Sequence, residues 1–322
     1  MNSVLSQQYH HIGIVIVDDG STDGSSELCD SLAATYAPRI HVIHQKNAGV
    51  SAARNVGIEY ALTQNQNGYL AFLDADDAWA EGFFALDIVA LLSKGYLLIG
   101  FQSCYCDKNL RSYSKPSSMK EETHDGGQDN VWLHSGQHFA AMLYACALVK
   151  KENIRFFEGL SYSEDKIFSM QCMYLANSIR LENRLLYYYR KNSSSAMSCR
   201  AHGIPYFTPM LGGYLKLDQM MRRYTGRKPL VEARKIAGIF TMEMIAEHYQ
   251  FFRSKREVDQ FFTDHPCYVS LLTAEGEYSD LDPNVEYEFY INHPAMYIIN
   301  NYFVGGVKLC KKVLRKVWYL IR

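Results

Sequence analysis

The chain has 322 residues, of which 48% are hydrophobic and 21% charged, a composition typical of a soluble globular protein. Its formal net charge of −1 gives no general positive field for nucleic acid, so we expect no nucleic-acid partner. The 8 cysteines include no C-x-x-C pair, and neither a signal-peptide pattern nor an apolar run of the roughly 18–20 residues that cross a membrane is recognisable. We therefore expect a cytoplasmic protein with reduced thiols.

The predicted elements alternate between strands and helices over roughly the first 100 residues. Short apolar runs predict strands at residues 12–17, 40–44, 69–73 and 96–101. The segments between them predict helices at residues 24–36, 49–62 and 81–94. Such alternation is typical of a doubly wound α/β fold with a mostly parallel sheet, in which ligands bind at the carboxyl ends of the strands.

Two acidic clusters follow strands of this predicted sheet. Asp18 and Asp19 open the segment DDGSTDGS, and Asp74, Asp76 and Asp77 follow the apolar run of YLAFLDADDAW. Because like charges repel and burial raises the cost, the second cluster is expected to hold a cation. Two carboxylates with water suit Mg²⁺ or Mn²⁺, completed by the phosphates of a bound nucleotide.

Turn and capping chemistry explains part of each cluster without any ligand. Asp18 can serve the turn of DDGSTDGS, and Asp77 can cap a helix near residue 80. Neither role accounts for Asp74 and Asp76, which alternate at the end of a strand. The cation hypothesis therefore depends mainly on these two residues.

The predicted helix over residues 49–62 carries an arginine within its apolar stripe. Val50, Gly57 and Tyr60 mark the stripe at helical spacing, and Arg54 lies inside it. A buried guanidinium requires an anionic partner, either phosphate or carboxylate. Two interpretations remain open here: a contact with a nucleotide, or a structural pair with an aspartate of the sheet. Both acidic clusters lie at the carboxyl ends of predicted strands, so we expect them to face one crevice, and both interpretations place Arg54 in this acidic crevice.

Three motifs resemble the nucleotide-sugar-binding half of family 2 glycosyltransferases, which have the GT-A fold. In chain order they are VDDGSTDGS, HQKNAGVSAARNVGIEYA and YLAFLDADDAW. The match continues through NIRFFEGLSYSEDKIF and LLYYYR, so it covers about 190 residues. The resemblance implies a GT-A catalytic domain over residues 1–198, followed by a helical region over residues 199–322.

The resemblance also implies roles for individual residues. The nucleotide sugar is expected to contact Asp18, Asp19, Asn47, Arg54 and Asp74. Within this set, Asp18 is expected to hold the base and Asp74 the ribose or the metal. Asp76 is expected to coordinate Mn²⁺ or Mg²⁺ on the diphosphate, and Asp77 to lie on the acceptor side.

Glu164 and Asp165 open a predicted helix after Ser163. By themselves they can simply be two acids favoured by the helix dipole, with Ser163 as the cap. The resemblance implies instead that Asp165 is the general base that deprotonates an acceptor hydroxyl, while Glu164 orients the acceptor. The metal would stabilise the departing diphosphate in an inverting displacement.

The expected function is therefore inverting, metal-dependent transfer of a hexose-type sugar from a donor, UDP-linked by family frequency. The acceptor is expected to be a glycan or a lipid-linked molecule in bacterial surface-polysaccharide synthesis. One alternative is a degenerate or truncated family member that binds nucleotide or a partner without catalysis. Another is a phosphoacceptor signalling domain, against which the chain length, the N-x-G-x-S-x-A-R-N segment and the E-D helix argue.

Residues 307–322 combine an apolar and a basic face at helical spacing. This pattern suits a helix that lies on an anionic membrane surface, which would place the protein peripherally on the inner face of the membrane. A terminal helix docked on the protein with its basic face in solvent is the alternative.

His134 and His138 have the i, i+4 spacing of a helix, which would allow both to bind one metal ion. No third ligand is evident, and a dedicated site normally needs one. We therefore expect a satisfied surface pair rather than a metal site.

Family members normally begin with a strand of the type V-S-V-I-I-P-x-Y-N and a helix that ends in S-V-L-x-Q. Residues 3–7, SVLSQ, resemble the end of that helix, and almost nothing precedes them. We therefore expect a truncated chain or a true start further upstream, with unpaired backbone groups on the strands beside the missing one.

Overall fold

The computed structural model describes most of residues 1–190 and part of the remainder. Within residues 1–190 its gaps are residues 8, 108, 113–120, 125–137 and 161–162. Beyond residue 190 it describes residues 204–221, 223–224, 260 and 263–264. The predicted membrane-surface helix over residues 307–322 lies outside the described residues, and every described helix is too short or too polar to cross a membrane.

Residues 2–92 largely alternate between helices and strands, as predicted, apart from two short strands in succession at residues 69–71 and 78–79. The elements are α1 (Asn2–Leu5), β1 (Ile14–Asp18), α2 (Ser25–Thr35), β2 (Ile40–His44), α3 (Val50–Gln64), β3 (Tyr69–Ala71), β4 (Ala78–Trp79) and α4 (Leu86–Leu92). The predicted helix over residues 81–94 is shorter in the structure, and the predicted strand over residues 96–101 extends further as β5 (Leu98–Cys106).

The following elements complete the described part of the fold. They are β6 (Glu122–His124), a short 3₁₀ helix (Phe139–Ala141), β7 (Met142–Ala145), α5 (Cys146–Lys151), α6 (Glu164–Leu175), β8 (Ile179–Arg190) and α7 (Ile204–Met221). The chain divides into two compact units, Met1–Arg200 and Ala201–Arg322. The first unit contains both acidic clusters and the E-D helix.

The described strands form two separate sheets. β1 pairs in parallel with β2, and the remaining strands follow the order β3-β7-β5-β8-β4, with β6 added on β8. The larger sheet is mixed rather than mostly parallel, which corrects the sequence-based expectation: β5 and β8 run parallel, whereas its other described pairs are antiparallel. The reason is that β7, from much later in the chain, enters between β3 and β5.

β1 and β3 each have a single hydrogen-bonded neighbour among the described residues. The edge of β1 that faces away from β2 and the edge of β3 that faces away from β7 therefore have no hydrogen-bonded strand beside them within the described ranges. Helix α3 packs on β1, and a Cβ atom built on Gly57 would lie 3.6 Å from the Val17 side chain. The glycine therefore allows a close approach of helix and strand.

The buried stripe of α3 differs from the predicted one at its start. Val50 is 45% exposed, because it is the first residue of the helix, whereas Ser51, Ile58 and Leu62 are buried. Arg54 remains close to the buried side, with only 13% of its side chain exposed.

The N-terminal segment SVLSQ docks on the region around β4. The Gln7 side-chain amide donates to the Ala80 carbonyl at 3.0 Å, and the backbone N–H of Trp79 donates to the Ser3 hydroxyl at 3.3 Å. Gln7 is only 6% exposed. This segment thus orders the chain that follows the second acidic cluster.

An aromatic cluster lies beneath the acidic crevice. Phe156 and Phe168 stack with ring centroids 4.1 Å apart, and Phe72 contacts each of them edge-on at 5.5 Å. The fully buried Tyr144 donates its hydroxyl to the Phe139 carbonyl at 2.7 Å. Burial of each ring contributes about 1.5–3 kcal/mol, so the cluster fixes the strand end from which the second acidic cluster emerges.

Asp77 fastens the end of β8 beside β4. Its carboxylate accepts hydrogen bonds from the Tyr187 hydroxyl at 2.5 Å and from the Arg190 backbone N–H at 2.8 Å. The residue is 6% exposed, and burial raises its pKa to about 6 although these bonds oppose the shift. Asp77 does not cap a helix near residue 80, because α4 begins only at Leu86.

We expect Asp77→Ala to lower the free energy of unfolding by about 2–4 kcal/mol, since two hydrogen bonds to a charged group are lost and the Tyr187 hydroxyl is left buried without its partner. Asp76→Ala is the matched control. The Asp76 carboxylate makes no hydrogen bond or ion pair within the described residues, so in metal-free buffer it should change stability by less than about 0.5 kcal/mol. Urea unfolding of both variants measures the difference, and equal midpoints would contradict this role.

The raised pKa adds a pH dependence to the same prediction. Between the ordinary pKa of 3.8 and about 6, the folded chain binds more protons at Asp77 than the unfolded chain does. Asp77 therefore makes the free energy of unfolding fall as pH rises through that window. Asp77→Asn should remove this contribution to the slope of unfolding free energy against pH.

Candidate active site

Arg54 joins the second acidic cluster to the N-terminus of α6. Its Nη2 lies 2.8 Å from Asp74 Oδ1, and its Nη1 lies 3.0 Å from Glu164 Oε1. The guanidinium carbon also lies 4.5 Å from the centroid of the Phe139 ring and 5.3 Å from that of Phe156. Of the two interpretations left open by the sequence, the structural ion pair is present in the structure.

The side chains of this network are largely removed from solvent. The exposed fractions are 13% for Arg54, 32% for Asp74 and 15% for Glu164. Burial alone would lower the pKa of Arg54, but Asp74 and then Glu164 outweigh it and raise the pKa. Burial and the neighbouring Asp165 raise the pKa of Glu164 against the opposing effect of Arg54. The crevice is therefore short of positive charge relative to its carboxylates.

The E-D pair stands at the start of α6 without a serine cap. Ser163 has a left-handed backbone (φ 61°), and its side chain makes no capping bond. Asp165 Oδ1 accepts a hydrogen bond from the Lys166 backbone N–H at 2.6 Å, so the Asp165 carboxylate satisfies one backbone donor in the first turn of the helix. Glu164, which we expected to orient an acceptor, is directed to Arg54 instead. That acceptor contact stays a prediction.

Asp74 and Asp76 have the donor set that a hard divalent cation prefers. They flank Ala75 in a turn closed by the Asp77 N–H, which donates to the Asp74 carbonyl at 3.0 Å. Asp74 Oδ1 contacts Arg54, whereas Asp76 makes no hydrogen bond within the described residues. In the described part of the chain, no group of 3 or more His, Cys, Asp or Glu is arranged to hold a metal ion. The residues thus fit a site completed by water and phosphate.

The Asp18 carboxylate is engaged by the loop that follows it. It accepts from the Ser21 N–H at 3.0 Å and from the Ser26 hydroxyl, and it lies 2.9 Å from His44 Nδ1. These hydrogen bonds lower the pKa of Asp18. The same contact and a second carboxylate, Asp30, raise the pKa of His44. Asp18 is thus a fixed anion at the end of β1.

Asp19 links the β1–α2 loop to the β2–α3 loop. Its carboxylate accepts from the backbone N–H groups of Ala48 and Gly49, both at 2.8 Å, and from the Gln45 side chain at 2.7 Å. The Asn47 side chain donates to the Asp19 carbonyl at 3.0 Å. Asp19 and Asn47 therefore lie together and are held by contacts with the protein itself. Their contact with a nucleotide stays a prediction.

Asp77, the predicted acceptor-side residue, faces inward. Both of its oxygens already accept hydrogen bonds from β8, so an acceptor contact stays a prediction and has no support in this geometry. Sequence reasoning missed the ring contacts of Arg54 with Phe139 and Phe156. Phe156 lies in the matched segment NIRFFEG, which is the one signal that could have indicated it.

The structure describes one of the two histidines that were expected to form a surface pair rather than a metal site. His134 lies outside the described residues, and His138 packs on the aromatic side chains of Phe139, Tyr187 and Tyr189. Burial lowers the pKa of His138, although Asp165 and Asp74 oppose the shift.

The sequence of residues 1–153 matches the family model for glycosyl transferase family 2. Two similar proteins are the glycosyltransferase EpsJ of Bacillus subtilis, 30% identical over 208 residues, and the glycosyltransferase GlyA of Streptococcus pneumoniae, 30% identical over 210 residues. Each alignment covers 61% of this chain, but only 57% of EpsJ and 28% of GlyA. The chain thus spans little more than half of one relative and less of the other.

The fold is similar to that of S. aureus TarS 1–349, whose crystal structure contains UDP-GlcNAc. The TM-score is 0.68 at 18% identity, with coverage of 94% of this chain and 84% of that chain. This similarity confirms the expected α/β class and GT-A fold. Residues 1–153, which carry the Asp18–Asp19 and Asp74–Asp76 clusters and Arg54, therefore belong to glycosyl transferase family 2.

Proposed function

We propose that this protein transfers a hexose-type sugar, with inversion, from a UDP-linked donor to a hydroxyl group of a glycan or lipid-linked acceptor. The observation that supports the proposal most directly is the Arg54 network. It brings Asp74, the first residue of the D-x-D motif Asp74-Ala75-Asp76, and Glu164, the first residue of the E-D pair, into one crevice. The family of residues 1–153 and the UDP-GlcNAc bound by the similarly folded TarS support a nucleotide-sugar donor.

The donor nucleotide is proposed to bind at the ends of β1 and β3. Asp18 contacts the base as a carboxylate that stays ionised, because its hydrogen bonds lower its pKa. Asp19 and Asn47 hold the two loops that frame this position, through four hydrogen bonds between the loops. Their contribution is to keep the loops in place before the nucleotide arrives.

Asp74 and Asp76 are proposed to hold Mn²⁺ or Mg²⁺ together with the diphosphate of the donor. Such a cation, when bound, stabilises the negative charge of the departing diphosphate. Arg54 orients Asp74 by its bond to Oδ1, and Asp76 is left without a protein partner in the described residues. The pair thus combines one positioned carboxylate and one that is available to a cation.

Asp165 is proposed to act as the general base. Its carboxylate takes the proton of the acceptor hydroxyl while the hydroxyl oxygen attacks the anomeric carbon, and the bond from that carbon to the diphosphate oxygen breaks. Because attack is opposite the leaving group, the anomeric configuration inverts. Glu164 lies beside this base, and its bond to Arg54 fixes the start of α6.

We further propose a role in surface-polysaccharide synthesis at the inner face of the membrane, where the basic and apolar faces of residues 307–322 contact anionic lipid. A lipid-linked acceptor would make such docking useful. The alternative, a family member that binds nucleotide without catalysis, is an outcome of the tests below.

Asp76→Asn should weaken Mn²⁺-dependent UDP binding by about 1–3 kcal/mol, the size of a lost charge-assisted contact, and leave metal-free binding nearly unchanged. Calorimetric UDP titrations in Mn²⁺ and in EDTA measure both quantities. Asp87→Asn, on the surface of α4 with 68% of its side chain exposed, is the matched control. Equal UDP affinity of variant and parent in saturating Mn²⁺ would remove Asp76 from the site.

Asp165→Asn should reduce sugar transfer by roughly 10²–10⁴-fold, the usual size of general-base catalysis. The amide oxygen can still accept from the Lys166 N–H, so melting temperature and UDP affinity should change little. A screen of donor turnover across UDP-sugars, run beside thermal melting, provides the measurement. A variant that melts much earlier but turns over normally when folded would assign Asp165 to helix structure alone. A parent that binds UDP with Mn²⁺ but turns over no donor would support the non-catalytic alternative.

A further inference from the structure

We propose that His138 is a sugar-positioning residue of this site, donating a hydrogen bond from Nε2 to a hydroxyl oxygen of the substrate beside Asp165. The inference rests on the proposed function and assigns a role to a residue that lies between the family motifs. Three features support it: the position of the ring beside the crevice, the aromatic contacts that fix its orientation, and the protonation of its two nitrogens.

His138 directly precedes the 3₁₀ helix whose first residue, Phe139, lies under the Arg54 guanidinium. Arg54 in turn contacts Asp74 and Glu164, which is the neighbour of Asp165. His138 is therefore at the edge of the same crevice as the proposed base and the D-x-D residues. It reaches this position from the segment before β7, which lies outside the family motifs.

Aromatic contacts hold the plane of the ring. The His138 ring stacks on Tyr187 with centroids 5.2 Å apart and an interplanar angle of 25°, and it meets Tyr189 edge-on at 5.0 Å. Tyr187 is itself held by the bond from its hydroxyl to the buried Asp77. A ring fixed on two sides can direct a hydrogen bond at little entropic cost, which is what a positioning residue requires.

The two ring nitrogens have different surroundings. Nδ1 is buried and has no hydrogen-bond partner among the described residues. An N–H sealed in that position would be left unpaired, which costs about 1–3 kcal/mol, so we assign the proton to Nε2. Burial also disfavours the doubly protonated ring, in agreement with its lowered pKa. His138 thus presents one donor, at Nε2.

This assignment excludes two other roles. The free lone pair of the neutral ring is at the sealed Nδ1, so His138 cannot take the proton of an attacking hydroxyl, and the base remains Asp165. A metal site would need further ligands, and no group of 3 or more candidate ligands is found in the described part of the chain. Hydroxyl oxygens, which accept a hydrogen bond and abound on sugars, fit a single neutral donor.

The test compares His138→Phe, which keeps a stacking ring and loses the donor, with His138→Gln, which restores an N–H at a similar reach. His41→Phe is the matched control, because His41 stacks on Tyr60 at 4.2 Å on the other sheet. UDP affinity in Mn²⁺, affinities for UDP-GlcNAc, UDP-glucose and UDP-galactose, and kcat and KM of transfer are measured for each variant. Melting temperatures show that each variant is folded.

We expect His138→Phe to keep UDP affinity within about twofold and to lose about tenfold in kcat/KM, with partial recovery in His138→Gln and no change in His41→Phe. A loss seen also in UDP-sugar affinity places the hydroxyl on the donor, and a loss confined to the acceptor KM places it on the acceptor. If His138→Phe does not fold, a normal kcat/KM in a folded His138→Ala variant serves as the contradicting result.

A normal kcat/KM and normal UDP-sugar affinity in His138→Phe would overturn the inference and leave the proposed function intact. A parent chain that binds no UDP and turns over no donor would instead overturn the proposed function, and this inference with it. The two failures are therefore distinguishable.

Discussion

The candidate site depends on one buried arginine. Arg54 contacts carboxylates from two distant parts of the chain, Asp74 after β3 and Glu164 at the start of α6, while two aromatic rings lie against its face. Removing either partner of such a pair leaves an uncompensated charge away from water, which is far more costly than the net worth of the pair. The network therefore fixes where the D-x-D turn and the E-D helix stand relative to each other.

The remaining parts of the crevice are held by contacts of the same kind, each satisfied before any substrate binds. Asp19 joins two loops at the ends of β1 and β2 through backbone N–H groups and the Gln45 side chain. Asp77 fastens the end of β8, and its bond to Tyr187 supports the ring on which His138 stacks. Preorganisation of this kind lowers the cost of orienting substrates. Asp76 makes no hydrogen bond within the described residues, which is why we propose it as the carboxylate that a cation would contact.

Much of the fold was predictable because its signals are local. The predicted strand over residues 40–44 is β2 (Ile40–His44), and both acidic clusters follow strands, as their apolar runs predicted. The mixed sheet was not predictable in this way, because the entry of β7 between β3 and β5 is decided by long-range pairing that periodicity does not report. The inward direction of Asp77 was missed for the same reason: its partners lie on β8, more than a hundred residues away along the chain.

The most direct test of the central claim is a double-mutant cycle on the buried ion pair. Arg54→Met should lower the free energy of unfolding by about 3–5 kcal/mol, because it leaves the carboxylates of Asp74 and Glu164 without their partner in a largely buried position. Glu164→Gln should lower it less, because Arg54 keeps its ion pair with Asp74. In the double variant the Glu164 charge is absent, so Arg54→Met no longer leaves it without a partner. The combined loss of unfolding free energy should therefore fall short of the sum of the two single losses by more than about 1 kcal/mol, measured by urea unfolding. Additive losses would contradict the claim that Arg54 and Glu164 act as one unit that holds the crevice together.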